Sequence, residues 1–373
     1  MINFKKNMDY KKLLKETFKN KKIIVTGHTG FKGSWLSYWL TLFGANVVGI
    51  SNKVITSPSH YEAINLKKKL KNIFLDISDK KKVLKVFKKE KPDFIFHLAA
   101  QALVKKSYKD PLLTWQSNTM GTINILEGLR EIQCKKKCIC VLITSDKSYK
   151  NIETNKGYKE EDELGGKDPY SASKAAADIA IKSYFNSFFM NKKSKLRIGV
   201  ARAGNVIGGG DWSEDRLIPD CIKNWSLNNI VKIRSPNSTR PWQHVLEAVN
   251  GYINLSIKLG KNKEINGEAF NFGPNYNKNY SVENVVREIK LNWPEAKFKI
   301  FKENKNLFFE SNLLKLNSAK AKKKLNWKSI LTFKENIQFV SEWYKEFYKK
   351  RHVDYLTKKQ ILKYINLFNE RSG

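Results

Sequence analysis

Residues 22–33 read KIIVTGHTGFKG, and the reading of the fold starts there. The apolar run Ile23–Val25, with charge in front and glycine behind, has the length and β-branched content of a buried strand. Glycines then fall at Gly27, Gly30 and Gly33, and an apolar helical stretch follows at once, through Phe43. A plain turn explains one glycine. Three in register before a helix point to a backbone that must approach an anion closely, with the helix N-terminus aimed at it. The spacing is GxxGxxG instead of GxGxxG, and the physics is the same.

Outward from this turn the pattern repeats. NVVGI (46–50), NIFLD (72–76), FIFHLAA (94–100), CICVLITS (138–145) and RIGVARAG (197–204) each read as a buried strand. Helical stretches separate them: 78–89 with Ser78 as its expected N-cap, 111–132 opened by Pro111, and 169–190. A short amphipathic helix is expected over 8–19. Alternating strands and helices with short connections predict an α/β fold with a doubly wound parallel sheet. Beyond residue 204 the pattern loosens into IVKIR (230–234), VLEAVNGYINLSIKLG (245–260), EAFNFG (268–273) and helices near 332–350 and 355–369. The expected division is a dinucleotide-binding domain over 1–204, with a returning segment near 240–275. A smaller mixed α/β domain over 205–239 and 276–373 would bind substrate and lie as a lid on the sheet's carboxyl edge.

Length and composition fit this. With 373 residues, 41% hydrophobic and 12% aromatic, the chain can bury a sizeable core, which excludes wholesale disorder. No apolar run approaches the roughly 20 residues of a membrane span, and residues 1–18 carry no apolar leader core. A cytoplasmic protein with no membrane partner is the expectation. The 70 basic against 35 acidic residues give +35. Such a charge suits either an anionic partner or a lysine-rich solvated surface. The lysines are scattered in short runs and form no single stripe, so no nucleic-acid partner is expected. Cys134, Cys138, Cys140 and Cys221 have no metal-ligand spacing; Cys138 and Cys140 should share one face of a buried strand. No metal is expected.

The chemistry gathers at two places. Tyr170 and Lys174 lie four apart at a helix start, so they share one face. A cation beside a phenol lowers its pKa and makes it a base. Alone, such a pair is usually a surface pair. Here the fifth strand ends in Thr144-Ser145-Asp146-Lys147. In an open α/β sheet the site lies outside the carboxyl strand ends, so Ser145, Asp146 and Lys147 arrive in the same crevice. The second strand ends without the ribose-binding acid usual there; Lys53 nearby suits a 2′-phosphate, so NAD and NADP both stay open on that feature. Asp76, closing the third strand, stands either beside the adenine or in an ordinary turn.

VTGHTGFKGSWLSYWL (25–40), ITSDKSY (143–149), DPYSASKAAAD (168–178), ARAGNVIGGGDWSEDRLIPD (201–220) and RPWQHVLEAVNGY (240–252) resemble the extended short-chain dehydrogenases/reductases, and among them the CDP-glucose 4,6-dehydratase branch. The resemblance implies a Rossmann fold, NAD as cofactor and a nucleotide-diphosphate sugar, CDP-glucose, as substrate. Around NAD it places Gly27, Thr29, Gly30, Phe31, Lys32, Gly33, Asp76, Ile77, Leu98, Ala99, Ala100, Asn118, Tyr170 and Lys174. Around the substrate it places Gln101, Asn205, Arg216, Arg240 and His244. It implies that Tyr170 takes the proton of the sugar 4-hydroxyl, Ser145 holds that hydroxyl, Lys174 binds the ribose, and Asp146 protonates the hydroxyl that leaves C6. Lys147 stands where sister enzymes carry a glutamate base; it is either a depressed-pKa base or an electrostatic stabiliser of the enolate. His97 and Trp242 read as structural, and Asn317 departs from the family's acid. Relatives of this type dimerise through the helices near 111–132 and 169–190, so a homodimer or a dimer of dimers is expected. Two other readings are a 4-epimerase, which the acid after Ser145 argues against, and a nucleic-acid-binding protein, which leaves the Ser/Asp/Tyr/Lys set unexplained.

Overall fold

The computed structural model describes residues 9–132, 136–154, 156–191, 194–233, 235–275, 279–301 and 313–372; Met8, Cys134 and Arg234 lie outside them. Six strands follow the sequence pattern: β1 (Lys22–Thr26), β2 (Asn46–Ser51), β3 (Lys71–Phe74), β4 (Phe94–His97), β5 (Cys138–Ile143) and β6 (Leu196–Ala203). A seventh, Ala269–Phe272, pairs in parallel with β6. The sheet order is seventh strand, β6, β5, β4, β1, β2, β3. Strand order reverses on either side of β1, which has β2 on one edge and β4 on the other. That reversal opens a crevice at the carboxyl ends of β1 and β4.

Period-two alternation explains why the sheet is covered on both faces. Ile23 and Val25 pack with Trp35, Leu36 and Trp39 of helix Phe31–Leu42, and with Leu246, Val249 and Ile253 of helix Val245–Lys261. Ile24, Ile95 and Leu142 face the other way, against Val83 and Phe87 of helix Lys80–Glu90, Ile125 and Leu129 of helix Gly121–Ile132, and Ile181 of helix Pro169–Tyr184. Cys138 and Cys140 share this second face.

Three local expectations change. Asp79, not Ser78, caps the helix at Lys80; its carboxylate accepts from the Lys82 amide at 3.0 Å, because Ser78 is held in a turn by Asp76. The stretch 111–132 is two helices, Pro111–Trp115 and Gly121–Ile132, joined by one wide π-type turn at Gln116–Met120. The helix from Pro169 likewise ends at Tyr184 and runs into a wide turn at Phe185–Phe189.

The later part of the chain is tied down by polar contacts inside the core. Glu247 is fully buried and accepts from the amides of Ile330 and Leu331 at 2.8 and 2.7 Å and from the Tyr364 hydroxyl at 2.6 Å. Helix Val353–Arg371 is thereby fastened to helix Val245–Lys261. The loop after β6 is held by Trp35 Nε1 donating to the Gly209 carbonyl at 3.0 Å, and by Tyr344 of helix Phe333–Tyr348 donating to the Asp211 carbonyl at 2.5 Å. Among the described residues no helix is long and apolar enough to cross a membrane.

Beneath the crevice lies a buried ion pair. Asp178 accepts from Arg202 Nε and Nη2 at 2.9 and 2.8 Å and from the Thr144 hydroxyl at 2.8 Å. It locks helix Pro169–Tyr184 to β5 and β6. Arg202→Leu strands a buried carboxylate, so it is expected to cost about 3–5 kcal/mol in urea unfolding at neutral pH. A loss under about 1 kcal/mol, the scale of exposed pairs, would show that the pair is not a fastening.

Candidate active site

Gly27 takes φ +76°, and a Cβ there would stand 2.8 Å from the Ala99 amide nitrogen. Gly33 is tighter, since its Cβ would lie 2.0 Å from the Gly27 carbonyl oxygen. These approaches lower helix Phe31–Leu42 onto the turn. Gly30 is its N-cap and supplies no side-chain acceptor, so the first amides of the helix are left to another partner. A dinucleotide pyrophosphate fits that cradle by charge and by donors.

The surroundings of the turn are set by its neighbours. Thr26 Oγ1 accepts from the amides of Leu98 and Ala99 at 3.1 and 3.2 Å and contacts His97 Nδ1 at 2.7 Å; His97 Nε2 meets Thr122 Oγ1 at 3.1 Å. His97 is a satisfied core histidine. Thr29 donates its hydroxyl to the Lys53 carbonyl at 2.7 Å. His28 is buried against β2, with Nε2 at 2.9 Å from Asn72 Oδ1 and Nδ1 at 3.1 Å from the Ser51 hydroxyl. Sequence reasoning passed over it. Asp76, two residues past β3, accepts from the Ser78 amide at Oδ1 (2.8 Å). Buried Ile77 follows, its carbonyl accepting from Asn124 at 2.9 Å.

Two expected contact residues are engaged elsewhere. Asn118 is buried and brackets the backbone of Gln101, accepting from its amide at 2.8 Å and donating to its carbonyl at 3.0 Å, and it also donates to the Ser173 hydroxyl at 2.9 Å. Gln101 turns its amide back onto the Leu103 carbonyl and the Thr114 hydroxyl, both at 3.0 Å. It holds the start of the next helix, where the sequence suggested a side chain facing the sugar. His244 is likewise held inside the protein. It is fully buried, caps helix Val245–Lys261 through Nδ1, and packs edge-on to Trp35 and Phe339. Complete burial leaves it no surface for a substrate. Arg240 donates to the Thr239 carbonyl at 2.8 Å on a short strand that pairs with Tyr280–Ser281. Asn205 is exposed just past β6, and Trp242 is core, donating to the Tyr280 carbonyl at 2.9 Å.

Ser145, Asp146, Tyr170 and Lys174 do come together, all buried. Ser145 donates to Asp146 Oδ1 at 3.0 Å and lies near enough to the Tyr170 phenol to lower its pKa. The Lys147 amide closes the turn on Ser145 Oγ at 3.2 Å. Asp168 caps the helix that carries Tyr170 and Lys174, and Pro169 opens it. Arg216 belongs to the same cluster. Asp211, buried in the loop after β6, holds its guanidinium at 2.9 Å, and its charge is felt by Tyr170. Asp211 was missed in the sequence; its only signal there is its place five residues before Arg216.

Burial dominates the electrostatics. It raises the Asp146 carboxyl above the ordinary range, against the pull of Lys147, Ser145 and Lys32. It brings Lys174 down to about 7, helped by the charge of Lys32. It pushes the Tyr170 phenol up to about 12, against Ser145 and Arg216. The last shift reverses the sequence expectation of a phenol poised near neutrality. Desolvation outweighs the neighbouring cations, and Lys174, itself brought near neutrality, carries less charge to offer.

Fold and cluster together define a dinucleotide-dependent enzyme acting on a hydroxyl-bearing substrate. The family model described as GDP-mannose 4,6 dehydratase matches residues 24–340. A CDP-glucose 4,6-dehydratase of Salmonella typhimurium is 39% identical over 94% of this chain and 98% of its own. A human dTDP-D-glucose 4,6-dehydratase is 26% identical over 90% of this chain and 93% of its own. Among solved structures, a Bacillus anthracis dTDP-glucose 4,6-dehydratase in complex with NAD superposes with TM-score 0.71 at 20% identity, covering 87% of this chain and 97% of that one. The chain belongs to this family of nucleotide-sugar 4,6-dehydratases.

Lys174 gives the site a pH signature. Below pH 7 its ammonium is charged in both the folded and unfolded states, and the folded state carries the full desolvation cost. Between about 7 and the usual 10.4 of a free lysine, the folded protein has released a proton that the unfolded chain still holds, so stability rises with pH. Lys174→Met is therefore expected to be more stable than the parent below pH 7, with a gain that shrinks towards pH 10. Urea midpoints from pH 6 to 10 measure this, and a gain independent of pH would contradict it.

Proposed function

We propose that this chain converts CDP-glucose to CDP-4-keto-6-deoxyglucose with NAD as a catalytic, regenerated cofactor, in the cytoplasm. The observation that carries the reading is Asp146: a buried carboxyl raised by its surroundings, hydrogen-bonded to Ser145 and one residue from it, beside Tyr170. A carboxyl raised above its usual range next to a hydride-transfer set is suited to give the proton that turns oxidation into loss of water. The cytidine assignment rests on the 39% identical Salmonella relative.

The glycine turn from Gly27 to Gly33, the backbone of Leu98 to Ala100 and Lys174 would hold NAD, which when bound accepts the C4 hydride and returns it at C6. Ser145 orients the sugar 4-hydroxyl, and Tyr170 takes its proton. The base is the Tyr170 phenolate, so the site must favour negative charge on the phenol before the proton is taken. Arg216 already draws the phenol down from its raised value, and the positive ring of the oxidised cofactor adds to that pull. Once C4 is a ketone, the C5 proton is acidic. Asp146 then gives its proton to the C6 hydroxyl, which leaves as water. Arg216, aimed by Asp211, is suited to the sugar diphosphate through its planar fork.

Incubation with NAD and CDP-, dTDP-, GDP- or UDP-linked sugars, read by mass, tests this. A product one water lighter from CDP-glucose is expected; none from any substrate would overturn the dehydratase reading, and product from dTDP- or UDP-glucose alone would overturn the cytidine assignment. Tyr170→Phe should lower turnover by at least about 10²-fold, the lower end for a general base, without shifting the unfolding midpoint.

A homodimer completes the proposal. Leu112, Trp115 and Met120 lie exposed on one of the two helical segments named above, and Ile179, Phe188 and Met190 on or just past the other. Apolar side chains on neighbouring helices favour a partner of the same kind. Light scattering should give twice the chain mass, and Ile179→Asp should halve it; a monomeric parent protein would refute the pairing.

A further inference from the structure

The turn that carries Ser145, Asp146 and Lys147 is tied at both ends to one buried ion pair. Before the turn, the Thr144 hydroxyl donates to Asp178 Oδ2 at 2.8 Å. After it, the Tyr149 phenol accepts from Arg202 Nη1 at 2.8 Å and donates to Asn271 Oδ1 at 2.8 Å. Arg202 gives Nε and Nη2 to Asp178, and its Nη1 also reaches the Glu160 carbonyl at 3.1 Å. Asn271 is itself fixed, its amide donating to Glu160 Oε1 at 2.8 Å and its Nδ2 to the Tyr158 carbonyl at 2.9 Å. The proposed chemistry gives Tyr149 no task.

Packing alone asks only for the ring of Tyr149. That ring stacks on Tyr158, with centroids 5.2 Å apart and planes at 13°, and the Arg202 guanidinium lies over it at 4.9 Å. A buried hydroxyl is costly unless bonded, and this one is bonded on both sides. Tyr149 is also the C-cap of the single turn Asp146–Ser148, its amide 3.4 Å from the Asp146 carbonyl. Any shift of Tyr149 therefore passes straight to Asp146. Backbone bonds also hold this stretch, from the Gly165 amide to the Ser148 carbonyl and from the Lys150 amide to the Glu163 carbonyl, both at 2.9 Å. Those run outward, to a loop in which Glu163 is exposed. The phenol runs inward, to β6 and the seventh strand.

The two ties serve different halves of the reaction. Thr144 is bound to Asp178, on the helix of Tyr170 and Lys174, and adjoins Ser145, so it steadies the set that handles the C4 hydroxyl. We propose that Tyr149 is a positioning residue for the loss of water: tied to Arg202 and Asn271, it fixes the far end of the turn and keeps Asp146 aimed at the C6 hydroxyl. This rests on the dehydratase reading. An error of about 1 Å in the place of a reacting group costs on the order of 10²-fold. Slack at Tyr149 thus slows elimination while C4 oxidation continues.

Tyr149→Phe keeps the ring and removes only the tie. In a single turnover with NAD and CDP-glucose, C4 oxidation leaves reduced nicotinamide on the protein until water loss and hydride return consume it. Tyr149→Phe should accumulate reduced nicotinamide, seen by its absorbance, well beyond the parent. Quenched samples should contain a sugar nucleotide two hydrogens lighter than the substrate. Steady-state turnover should fall at least about 10-fold, within the range set by such misplacement, with KM unchanged. Asn271→Ala, which removes the acceptor of the phenol, should shift the balance the same way. Thr144→Val should instead slow the first appearance of reduced nicotinamide. Parent-like balance in Tyr149→Phe, even with a lowered urea midpoint, would reduce the phenol to packing and overturn the proposal. Equal accumulation in Thr144→Val would overturn the division between the two ties. A parent protein that dehydrates none of the nucleotide sugars would overturn the dehydratase reading and this with it; an active parent with an unaltered Tyr149→Phe would overturn this alone.

Discussion

A single methyl group at Gly33 would stand 2.0 Å from the carbonyl oxygen of Gly27, and the site depends on its not being there. That contact lets the first helix seat directly on the strand-to-helix turn. Because the helix sits low, its uncapped N-terminus lies at the place where strand order reverses around β1. Helix seating also determines where residue 32 points. A wider turn would move Lys32 away from Asp146 and would draw Trp35 out of its hydrogen bond to the loop after β6. One backbone approach thus positions the anion cradle and the loop that carries Arg216.

The sheet was legible because its signal is local. Each strand of Val, Ile and Phe bounded by polar or glycine residues announces itself within a few residues, and the alternation that sends Ile23 and Ile24 to opposite cores is written in adjacent positions. The convergence of Ser145 with Tyr170 was legible for a related reason: parallel sheets deliver their carboxyl ends to one edge. What stayed hidden depends on tertiary partners. Nothing near Asp211 says that it will hold Arg216, and nothing near Gln101 says that Asn118 and Thr114 will claim its polar groups. His244 looked like a contact residue because it sits among family-like neighbours, yet a buried helix cap needs the same local freedom. Spacing places Lys174 beside Tyr170 but contains no measure of desolvation, and desolvation decides the sign of the phenol's shift.

The net charge of +35 is easily misread for the same reason. Surface lysines here pair with nearby carboxylates, as Lys80 does with Glu127 and Glu131 and Lys136 with Asp93, or stand in water, where each contributes little. The cations that matter are few and interior. Lys32 and Arg216 are drawn towards Asp146 and Asp211, and Lys174 lies beside Lys32, all within the protein's interior. A crevice of that sign attracts diphosphates whatever the outer surface carries. Composition points to a sticky basic protein, whereas placement points to a binding site for two anionic nucleotides.

Burial then does two opposite jobs with one physical cause. It disfavours charge, so it raises an acid and lowers an amine. In this crevice it raises Asp146 and lowers Lys32 and Lys174, which moves an acid and two amines towards one another on the pH scale. No separate device is needed for each group; dryness suffices. That dryness is maintained from outside the sheet. The loop bearing Asp211 is held down by Tyr344, and helix Val353–Arg371 is fastened to the core through Tyr364 and Glu247. The C-terminal helices therefore bear on the chemistry through the loop and core they hold: loosening them admits water, and water would return the acid and the amines towards their ordinary values.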